Sequence, residues 1–419
     1  MARLLVEGGL RLNGKVEVSG SKNSLLPIIA AAAMATEGES HIENVAPYTD
    51  VLDLCQILRE LGATVEWEGE TSLRIEASRL NGWVAPYVLA RRLRGSSYLL
   101  GLLLARMGKA EVAIPGGCEI GSRPIDYHMR GLGMLGAVTR VERGAVLAET
   151  DGLRGATIYV DRASVGTTVN LMLAGSTADG VTVLDNAARE PEIVDLANFL
   201  NGMGAHVRGA GTSLVRIEGV RSLAGTRHEA IPDRIEAGTY LLSAVTGRGK
   251  VRVEKMIPEH LRAFLLKLEE AGAKVGEGTD WVEVEAEAGL MGIDIQTQPY
   301  PGFPTDLHPL FVGVLTLAPG VSVVEETIFD NRFGYAGELI RMGANIKIER
   351  STAIVRGTDK LTGAPLEITD LRGGAALILA AMAAEGTSEL DGINFLERGY
   401  YQLEARLNSL GASIRRSGD

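Results

Sequence analysis

Cys118 lies in the stretch of the chain that most suggests chemistry, PGGCEIGSRP (115–124), where glycines, prolines and small polar residues surround it. The other cysteine, Cys55, lies in the apolar helical pattern DVLDLCQILREL (50–61), which is typical of a buried thiol. Arg123 follows Cys118 by five positions, and a nearby cation favours the thiolate. Cys118 is therefore predicted to be exposed and reactive, either as a nucleophile or as a proton donor.

Two further segments place a cation where a helix is predicted to begin. SGSKNSLLP puts Lys22 and Asn23 at a turn before an apolar helix, and RRLRGSSYLLG puts Arg94 before two serines. The exposed N–H groups of a first helical turn attract anions, so both segments are candidate anion sites. The alternative for Lys22 is a solvated surface side chain.

Asp306 follows three prolines in PYPGFPTDLHPLF (299–311). Such a rigid segment could present its carboxylate as a general base, and a helix N-cap is an equally good interpretation. His308 has no second metal ligand at a useful spacing, so it is predicted to be structural.

Three arginines near the C-terminus each lie beside an acid, Arg332 in DNRFG, Arg372 in TDLRGGAAL and Arg398 in ERGY. They could pair with those acids as braces of the fold. They could equally bind a carboxylate or a phosphate, which a guanidinium contacts through two parallel hydrogen bonds.

Composition and motifs exclude several classes of protein. The chain carries no Walker A, HExxH, GxGxxG or GxSxG motif, so no metal, nicotinamide, flavin or ATP is expected as a cofactor. The net charge of −11 disfavours nucleic acid and anionic membranes as partners. Two cysteines without CxxC spacing predict a cytosolic protein, and the apolar runs are shorter than the roughly 20 residues that span a bilayer.

A helix that ends in Gly-Ala before an alternating strand recurs about every 70 residues. Its glycines are Gly62, Gly136, Gly204, Gly272, Gly343 and Gly411. A second glycine, which ends an Ala/Leu-rich helix, recurs out of phase at Gly38, Gly108, Gly180, Gly249, Gly320 and Gly386. Glycine after a helix supplies the left-handed conformation that ends it, so the chain is predicted to contain six copies of one α/β unit.

Six units of this size favour two domains of three units each. The polar, Pro-containing stretch TRHEAIPDR (226–234) lies at the middle of the repeat series. On the repeats alone, a six-unit ring that binds a ligand without chemistry is the alternative.

These motifs resemble one enzyme family nearly end to end. The matching segments are SGSKNSLLP, PGGCEIGSRPIDYH, DRASVGTTVNLMLA, NAAREPEIVDLANFL, PDRIEAGTY, PYPGFPTD, DNRF, TDLRGGAAL and ERGY. The chain resembles the UDP-N-acetylglucosamine (UDP-GlcNAc) 1-carboxyvinyltransferases, which are enolpyruvyl transferases. The Cys118 loop and NAAREPEIVD separate that group from the related 3-phosphoshikimate 1-carboxyvinyltransferases.

The resemblance implies an α/β fold of two similar domains, each an inside-out α/β barrel of three βαβαββ-type units. It implies a C-terminal lobe made of residues 1–21 with 230–419, and an N-terminal lobe of residues 22–229 that carries the Cys118 loop.

The resemblance also implies the reaction. The enolpyruvyl group of phosphoenolpyruvate is transferred to the 3-hydroxyl of UDP-GlcNAc through a tetrahedral ketal, and phosphate is released, as the first committed step of peptidoglycan synthesis. Cys118 matches the family's proton donor, and Asp306 matches the residue near the sugar 3-hydroxyl, a candidate base. The expected partners are these two small molecules.

The remaining site residues follow from the same resemblance. Those that match phosphoenolpyruvate-binding groups are Lys22, Asn23, Arg123, Arg332, Arg372 and Arg398, and Lys22, Arg398 and Asp370 are also expected at the reacting centre. Those that match UDP-GlcNAc contacts are Arg94, Arg123, Pro124, Ile125, Asp126, Tyr127, Arg162, Ala163, Ser164, Val165, Asp306 and Ile328.

Some segments depart from the family pattern. Gly95 follows Arg94 where Ala is usual, LHPLF follows Asp306, and FGYAGEL follows Arg332 where a His is usual. The alternative hypotheses are transfer to another acceptor, such as shikimate 3-phosphate, and a non-catalytic paralogue that binds the nucleotide sugar.

Overall fold

The computed structural model of the protein describes residues 3–115 and 125–418. Three residues with a predicted role, Cys118, Arg123 and Pro124, lie outside the described residues. Within the described part, no helix combines the length and the apolar character needed to cross a bilayer.

The described residues form alternating helices and strands. The strands are β1 Arg3–Glu7, β2 Asn13–Glu17, β3 Glu39–Glu43, β4 Thr64–Trp67, β5 Leu73–Glu76, β6 Lys109–Ala113, β7 Val138–Glu142, β8 Ala145–Glu149, β9 Thr157–Tyr159, β10 Val181–Asp185, β11 His206–Arg208, β12 Leu214–Glu218, β13 Arg227–Glu229, β14 Lys250–Glu254, β15 Lys274–Glu277, β16 Trp281–Glu285, β17 Ile295–Gln296, β18 Val321–Glu325, β19 Asn345–Glu349, β20 Thr352–Arg356, β21 Pro365–Glu367, β22 Thr387–Asp391 and β23 Ser413–Ser417. The α-helices are α1 Lys22–Ala32, α2 Thr49–Glu60, α3 Tyr87–Arg92, α4 Tyr98–Met107, α5 Asp126–Met134, α6 Val165–Gly175, α7 Pro191–Gly202, α8 Arg234–Thr246, α9 Arg262–Glu270, α10 His308–Leu315, α11 Ala336–Arg341, α12 Leu371–Ala383 and α13 Leu403–Ser409. Short 3-10 helices occupy Arg94–Ser97, Pro258–Leu261 and Ile393–Phe395.

The strands of the described residues form six small sheets that share one pattern. Five sheets have four strands, in the orders β21-β22-β1-β23, β11-β12-β10-β9, β13-β3-β5-β4, β15-β16-β14-β2 and β17-β18-β20-β19. Each of the five joins one parallel pair to two antiparallel pairs, as β9 and β10 do before β12 and β11. In the sixth sheet, β6-β8-β7, a parallel bridge between Val84 and Glu111 stands in the place of the fourth strand. Six copies of one α/β unit, as the repeats predict, are thereby confirmed.

The chain divides into two compact units with three sheets each. Of the described residues, one unit takes those up to Ser19 together with those from Pro232 onward, and the other takes those between Gly20 and residue 115 and between residue 125 and Ile231. The N-terminal segment belongs to the first unit because β1 pairs with β22 and β23, and β2 pairs with β14.

The core of each unit consists of helices rather than sheet. In the first unit α8, α10 and α12 pack on one another; in the second, α4 packs on both α1 and α6. All 13 residues of α8 except Arg234 are buried, and so are 10 of the 11 residues of α1 and 11 of the 13 residues of α12. The longest apolar runs of the sequence are therefore core helices, and the α/β fold with helices inside and sheets outside is confirmed.

The six glycines of the Gly-Ala marker end helices as predicted. Of the second marker only Gly108 ends a helix, and the other five lie directly before a strand, so that part of the prediction is wrong. The six glycines of the Gly-Ala marker have φ between 95° and 110°, a conformation that residues with a Cβ rarely adopt. At the second marker, five of the six glycines have positive φ. Gly249 is the exception, because the left-handed residue there is Arg248 at φ 43°. Gly249 is required instead by contact, since a Cβ on it would lie 1.8 Å from the Leu12 carbonyl oxygen.

Two glycines near α11 offer a matched test of this conformational requirement. Neither Gly337 nor Gly343 has an atom within 4 Å of the position of an added Cβ, and only Gly343 has positive φ, at 99°. Gly343→Ala should therefore lower the free energy of unfolding by about 1 kcal/mol, and Gly337→Ala should raise it by about 0.5 kcal/mol, because alanine favours a helix. Urea denaturation measures both values, and equal effects would contradict the prediction.

Candidate active site

Asp306 lies just before α10 and forms ion pairs with two arginines. Its Oδ1 accepts a hydrogen bond from Arg332 Nη2 at 2.9 Å, and its Oδ2 accepts one from Arg372 Nε at 3.2 Å. The N-cap residue of α10 is Leu307, which makes no side-chain cap. The N-cap interpretation of Asp306 is therefore wrong, and its carboxylate is committed to the arginines.

Arg332 and Arg372 are almost completely buried, with 3% and 2% of their surface exposed. Among the described residues, Arg332 Nε and both terminal nitrogens of Arg372 have no hydrogen-bond partner. A buried donor without a partner is costly, and one that carries a positive charge favours an anion as its partner. Both side chains pair with Asp306 rather than with the acids beside them in the sequence, and their remaining donors are chemically suited to a carboxylate or a phosphate.

Tyr400 supports one of these arginines, Arg372. The guanidinium of Arg372 lies 5.2 Å from the centre of the Tyr400 ring, and Tyr400 Oη is 2.8 Å from Thr239 Oγ1. Burial alone would lower the pKa of Arg372, but interactions with Tyr400 and with the Asp306 carboxylate outweigh it, so the pKa is raised and the cation is retained. Arg398, two residues before Tyr400, is half-buried in the turn before α13.

Asp370 caps α12. Its Oδ1 accepts hydrogen bonds from the backbone N–H groups of Arg372 and Gly373, both at 3.0 Å. Such a cap fixes the start of the helix, so Asp370 also fixes the backbone from which the Arg372 side chain extends.

A second, fully buried layer lies behind Asp306. His308 Nδ1 is 2.9 Å from Glu326 Oε2, and Tyr335 Oη is 3.0 Å from His308 Nε2. Burial lowers the pKa of His308, so the neutral ring donates from Nδ1 to Glu326 and accepts at Nε2 from Tyr335. Burial alone would raise the pKa of Glu326, but the hydrogen bonds to His308, Ile328 and Thr305 lower it. His308 is structural, as predicted.

Lys22 is the first residue of α1 in the other unit. Its Nζ lies 3.3 Å from Asp50 Oδ2, and only 11% of its side chain is exposed. The alternative of a solvated surface lysine is therefore wrong. Asn23 follows at the second position of the helix and is half-buried.

Arg94 opens the 3-10 helix that leads into α4, and it is half-buried. The neighbouring Gly95 packs against α1, since a Cβ at this position would lie 3.1 Å from Leu26 Cδ1. This contact gives a physical reason for glycine where the family usually has alanine.

Two segments with predicted UDP-GlcNAc contacts begin neighbouring helices. Ile125, Asp126 and Tyr127 lie at the start of α5, and Arg162 to Val165 lead into α6. Ser164 caps α6 by accepting the N–H of Thr167 at 3.3 Å. Tyr127, Asp161 and Thr167 line one cleft, so the structure brings the two segments together. Ile328 lies in the first unit, the one that contains Asp306, and its N–H donates to Glu326 Oε1 at 2.7 Å.

Four of the described residues with a predicted role lie where a central helix begins. They are Lys22 at α1, Val165 at α6, Asp306 just before α10 and Arg372 at α12. In the first unit a Cβ on Gly238, in the first half of α8, would lie 2.7 Å from Leu307 at the start of α10, and Asp306 contacts Arg372 at the start of α12. The helices α8, α10 and α12 therefore begin at the same end of their core, where their dipoles favour negative charge. In the other unit, Asn170, midway along α6, donates to the Ser97 carbonyl oxygen just before α4 at 2.7 Å.

Comparison with known proteins agrees with this arrangement. The family model for EPSP synthase (3-phosphoshikimate 1-carboxyvinyltransferase) matches residues 6–407. The chain belongs to the enolpyruvyl transferase family. Among its relatives in that family, UDP-N-acetylglucosamine 1-carboxyvinyltransferase 2 of Symbiobacterium thermophilum is 58% identical over 99% of this chain and 98% of the relative. UDP-N-acetylglucosamine 1-carboxyvinyltransferase of Halothermothrix orenii is 48% identical over 99% of this chain and all of the relative.

Solved enolpyruvyl transferase structures resemble the whole chain. The enolpyruvyl transferase NikO from Streptomyces tendae superposes with a TM-score of 0.89 at 28% identity, over 99% of both chains. EPSP synthase from Acinetobacter baumannii superposes with a TM-score of 0.75 at 19% identity, a similarity that concerns the fold alone.

Sequence reasoning missed Glu326 and Tyr400, which support Asp306 and Arg372. Glu325 and Glu326 follow one another at the end of β18. Because successive side chains of a strand point to opposite faces, one of two adjacent glutamates must face inward. That alternation is the signal that could have identified Glu326.

Asp306 should stabilise the protein because it neutralises two buried cations. Asp306→Asn is expected to lower the free energy of unfolding by about 3 kcal/mol, the usual cost of removing one partner of a buried ion pair. Asp330, the exposed acid beside Arg332 in the sequence, provides the control: Asp330→Asn should change the value by less than about 0.5 kcal/mol. Urea denaturation measures both, and a larger effect at Asp330 would identify it as the partner of Arg332.

Neutral, buried His308 predicts a loss of stability in acid. Because its folded pKa is lowered, the unfolded chain binds a proton at His308 below about pH 6.5 that the folded protein excludes. Between about pH 7.5 and pH 5.5 this should remove about 1 kcal/mol of unfolding free energy, and His308→Asn should abolish that part of the pH dependence. An unchanged pH dependence in the variant would contradict the neutral state of His308.

Proposed function

We propose that the protein transfers the enolpyruvyl group of phosphoenolpyruvate to the 3-hydroxyl of UDP-GlcNAc and releases phosphate. The observation that carries the proposal is the Asp306 cluster, a carboxylate beside buried guanidinium donors, in a chain similar end to end to enzymes named for this activity. As part of the same proposal, the reaction is a cytosolic step of peptidoglycan synthesis.

The reaction needs one base and one acid. In the addition step the base removes the proton of the sugar 3-hydroxyl, the oxygen bonds to C2 of phosphoenolpyruvate, and the acid protonates C3. In the elimination step a proton leaves the new methyl group, the bond from C2 to the phosphate oxygen breaks, and the enol ether forms. Asp306 is proposed as the base and Cys118 as the acid.

Phosphoenolpyruvate brings a phosphate and a carboxylate, so its site needs several cations. The spare nitrogens of Arg332 and Arg372 supply donors in one unit, and Arg398 is proposed beside them. Lys22 and Asn23, at the start of α1, and Arg123 are proposed as further ligands. A buried cation near a helix N-terminus is suited to such an anion, which supports these assignments.

UDP-GlcNAc is proposed to bind Arg94, Arg123 to Tyr127 and Arg162 to Val165, with Ile328 and Asp306 at the sugar. Tyr127 lies close to Asp161 and Thr167, so the segments that begin α5 and lead into α6 could contact one ligand, which supports this proposal.

The two cysteines should differ strongly in reactivity. Burial raises the pKa of the Cys55 thiol to about 12, which leaves almost no thiolate near neutral pH. Of the two thiols, Cys118 is therefore the one proposed to take part in catalysis and to react with epoxides.

Phosphate release from phosphoenolpyruvate tests the proposal. The protein should release phosphate with UDP-GlcNAc as acceptor and not with shikimate 3-phosphate, and Asp306→Asn or Cys118→Ala should lower kcat about 100-fold or more, the usual contribution of a general acid or base. Activity with shikimate 3-phosphate alone would overturn the choice of acceptor, and unchanged turnover in Cys118→Ala would overturn its role as proton donor.

Labelling with a thiol-reactive epoxide provides the control for Cys118. One equivalent of epoxide should be incorporated at Cys118, and turnover should stop. The Cys55→Ala variant should be labelled to the same extent, because the Cys55 thiol of the wild-type protein is buried and should not react. Labelling that survives in Cys118→Ala would place the reactive thiol elsewhere.

A further inference from the structure

Glu326 makes an unusually complete set of hydrogen bonds for a buried carboxylate. Its side chain is fully buried. Oε1 accepts from Thr297 Oγ1 at 2.9 Å and from the N–H groups of Ile328 and Phe329 at 2.7 and 3.1 Å. Oε2 accepts from Thr305 Oγ1 at 2.8 Å and from His308 Nδ1 at 2.9 Å. Five donors converge on one charge, and such a charge-assisted network is rigid.

The donors to Glu326 belong to the segments that carry Asp306 and one of its arginines. Thr305 and His308 flank Asp306 on both sides in the sequence. Phe329 lies three residues before Arg332, and its ring lies 5.6 Å from the Arg332 guanidinium. Glu326 therefore holds both members of the ion pair between Asp306 and Arg332, although it contacts neither side chain.

Two of the departures from the family pattern meet in this network. His308 belongs to LHPLF after Asp306, and Tyr335 belongs to FGYAGEL after Arg332. The structure joins them by a hydrogen bond of 3.0 Å. The two departures are therefore coupled: Tyr335 is hydrogen-bonded to His308, and His308, the first residue of α10, is hydrogen-bonded to Glu326.

We propose that Glu326, through Thr305 and His308, is a positioning residue that holds the Asp306 carboxylate for proton transfer. The inference rests on the proposed function, in which Asp306 is the base. Proton transfer requires hydrogen-bond distance, and a displacement of about 1 Å in a catalytic group can cost about 100-fold in rate. The Glu326→Gln substitution removes the charge on which five donors converge and places an NH₂ group among them, so the hydrogen bonds that orient Thr305 and His308 would have to rearrange.

The kinetic test compares buried substitutions of similar size. Glu326→Gln should lower kcat by about 10- to 100-fold, with KM for both substrates within about threefold. Thr305→Val, which deletes one hydrogen bond to Glu326, should lower kcat less. Thr316→Val is the matched control, because Thr316 is a fully buried threonine at the opposite end of α10 that bonds only to the backbone of its own helix through Oγ1. Its kcat should be unchanged.

A double-mutant cycle separates positioning from a general structural role. If Glu326 acts through Asp306, adding Glu326→Gln to Asp306→Asn should lower kcat by less than about threefold further. A loss as large as in the wild-type background would overturn the inference, as would a wild-type kcat in Glu326→Gln.

Urea denaturation of the wild type, the two single variants and the double variant tests the inference separately from the proposed function. The factor by which Asp306→Asn raises the unfolding equilibrium constant should be at least about ten times smaller in the Glu326→Gln background than in the wild type. Independent effects on unfolding would overturn the inference even if the enzyme is active. A wild-type protein that releases no phosphate would contradict the proposed function, and coupling in urea would still support Glu326 as the residue that holds Asp306.

Discussion

The burial of three apolar helices side by side in each unit is the constraint on which the rest of the structure depends. In the first unit α8, α10 and α12 begin at the same end of the core, as the contacts of Leu307 with Gly238 and of Asp306 with Arg372 show. Unpaired N–H groups and aligned dipoles make that end favourable for anions. The small sheets enclose the helices, and the repeated glycines at φ near 100° let each helix stop and the chain return outside.

A positive end of the core requires negative partners, and the protein supplies only some of them. Asp233 and Asp370 cap α8 and α12, and Asp306 pairs with Arg332 and Arg372. Spare guanidinium nitrogens nevertheless remain without partners among the described residues. Buried cations are costly unless they are paired, so a substrate with phosphate and carboxylate groups would satisfy donors that the fold leaves available. The positive charge that the fold leaves unpaired is therefore the same charge that the proposed reaction would use to bind its substrate.

A buried layer made of Glu326, His308 and Tyr335 lies behind these charges, and none of its members is proposed to contact a substrate. Glu326 is ionised although it is buried, because five donors surround it. The neutral His308 and Tyr335 complete the layer. The two departures from the family pattern are hydrogen-bonded to each other in this layer, so in this protein their effects on the site are coupled.

The sequence by itself determined the local rules of this protein: the repeat, the glycines that end helices, the apolar helices of the core, and the loops whose cations and acids suggest chemistry. Each depends on residues close together in the chain, where periodicity and backbone preference decide the outcome. Only the tertiary structure decided what Asp306 does, because a carboxylate after prolines can cap a helix or bind cations that lie 26 and 66 residues away. It likewise decided that Lys22 is buried, that Gly249 is needed for contact rather than for its φ, and that Glu326 faces inward, since burial and long-range hydrogen bonds arise only when distant segments pack together.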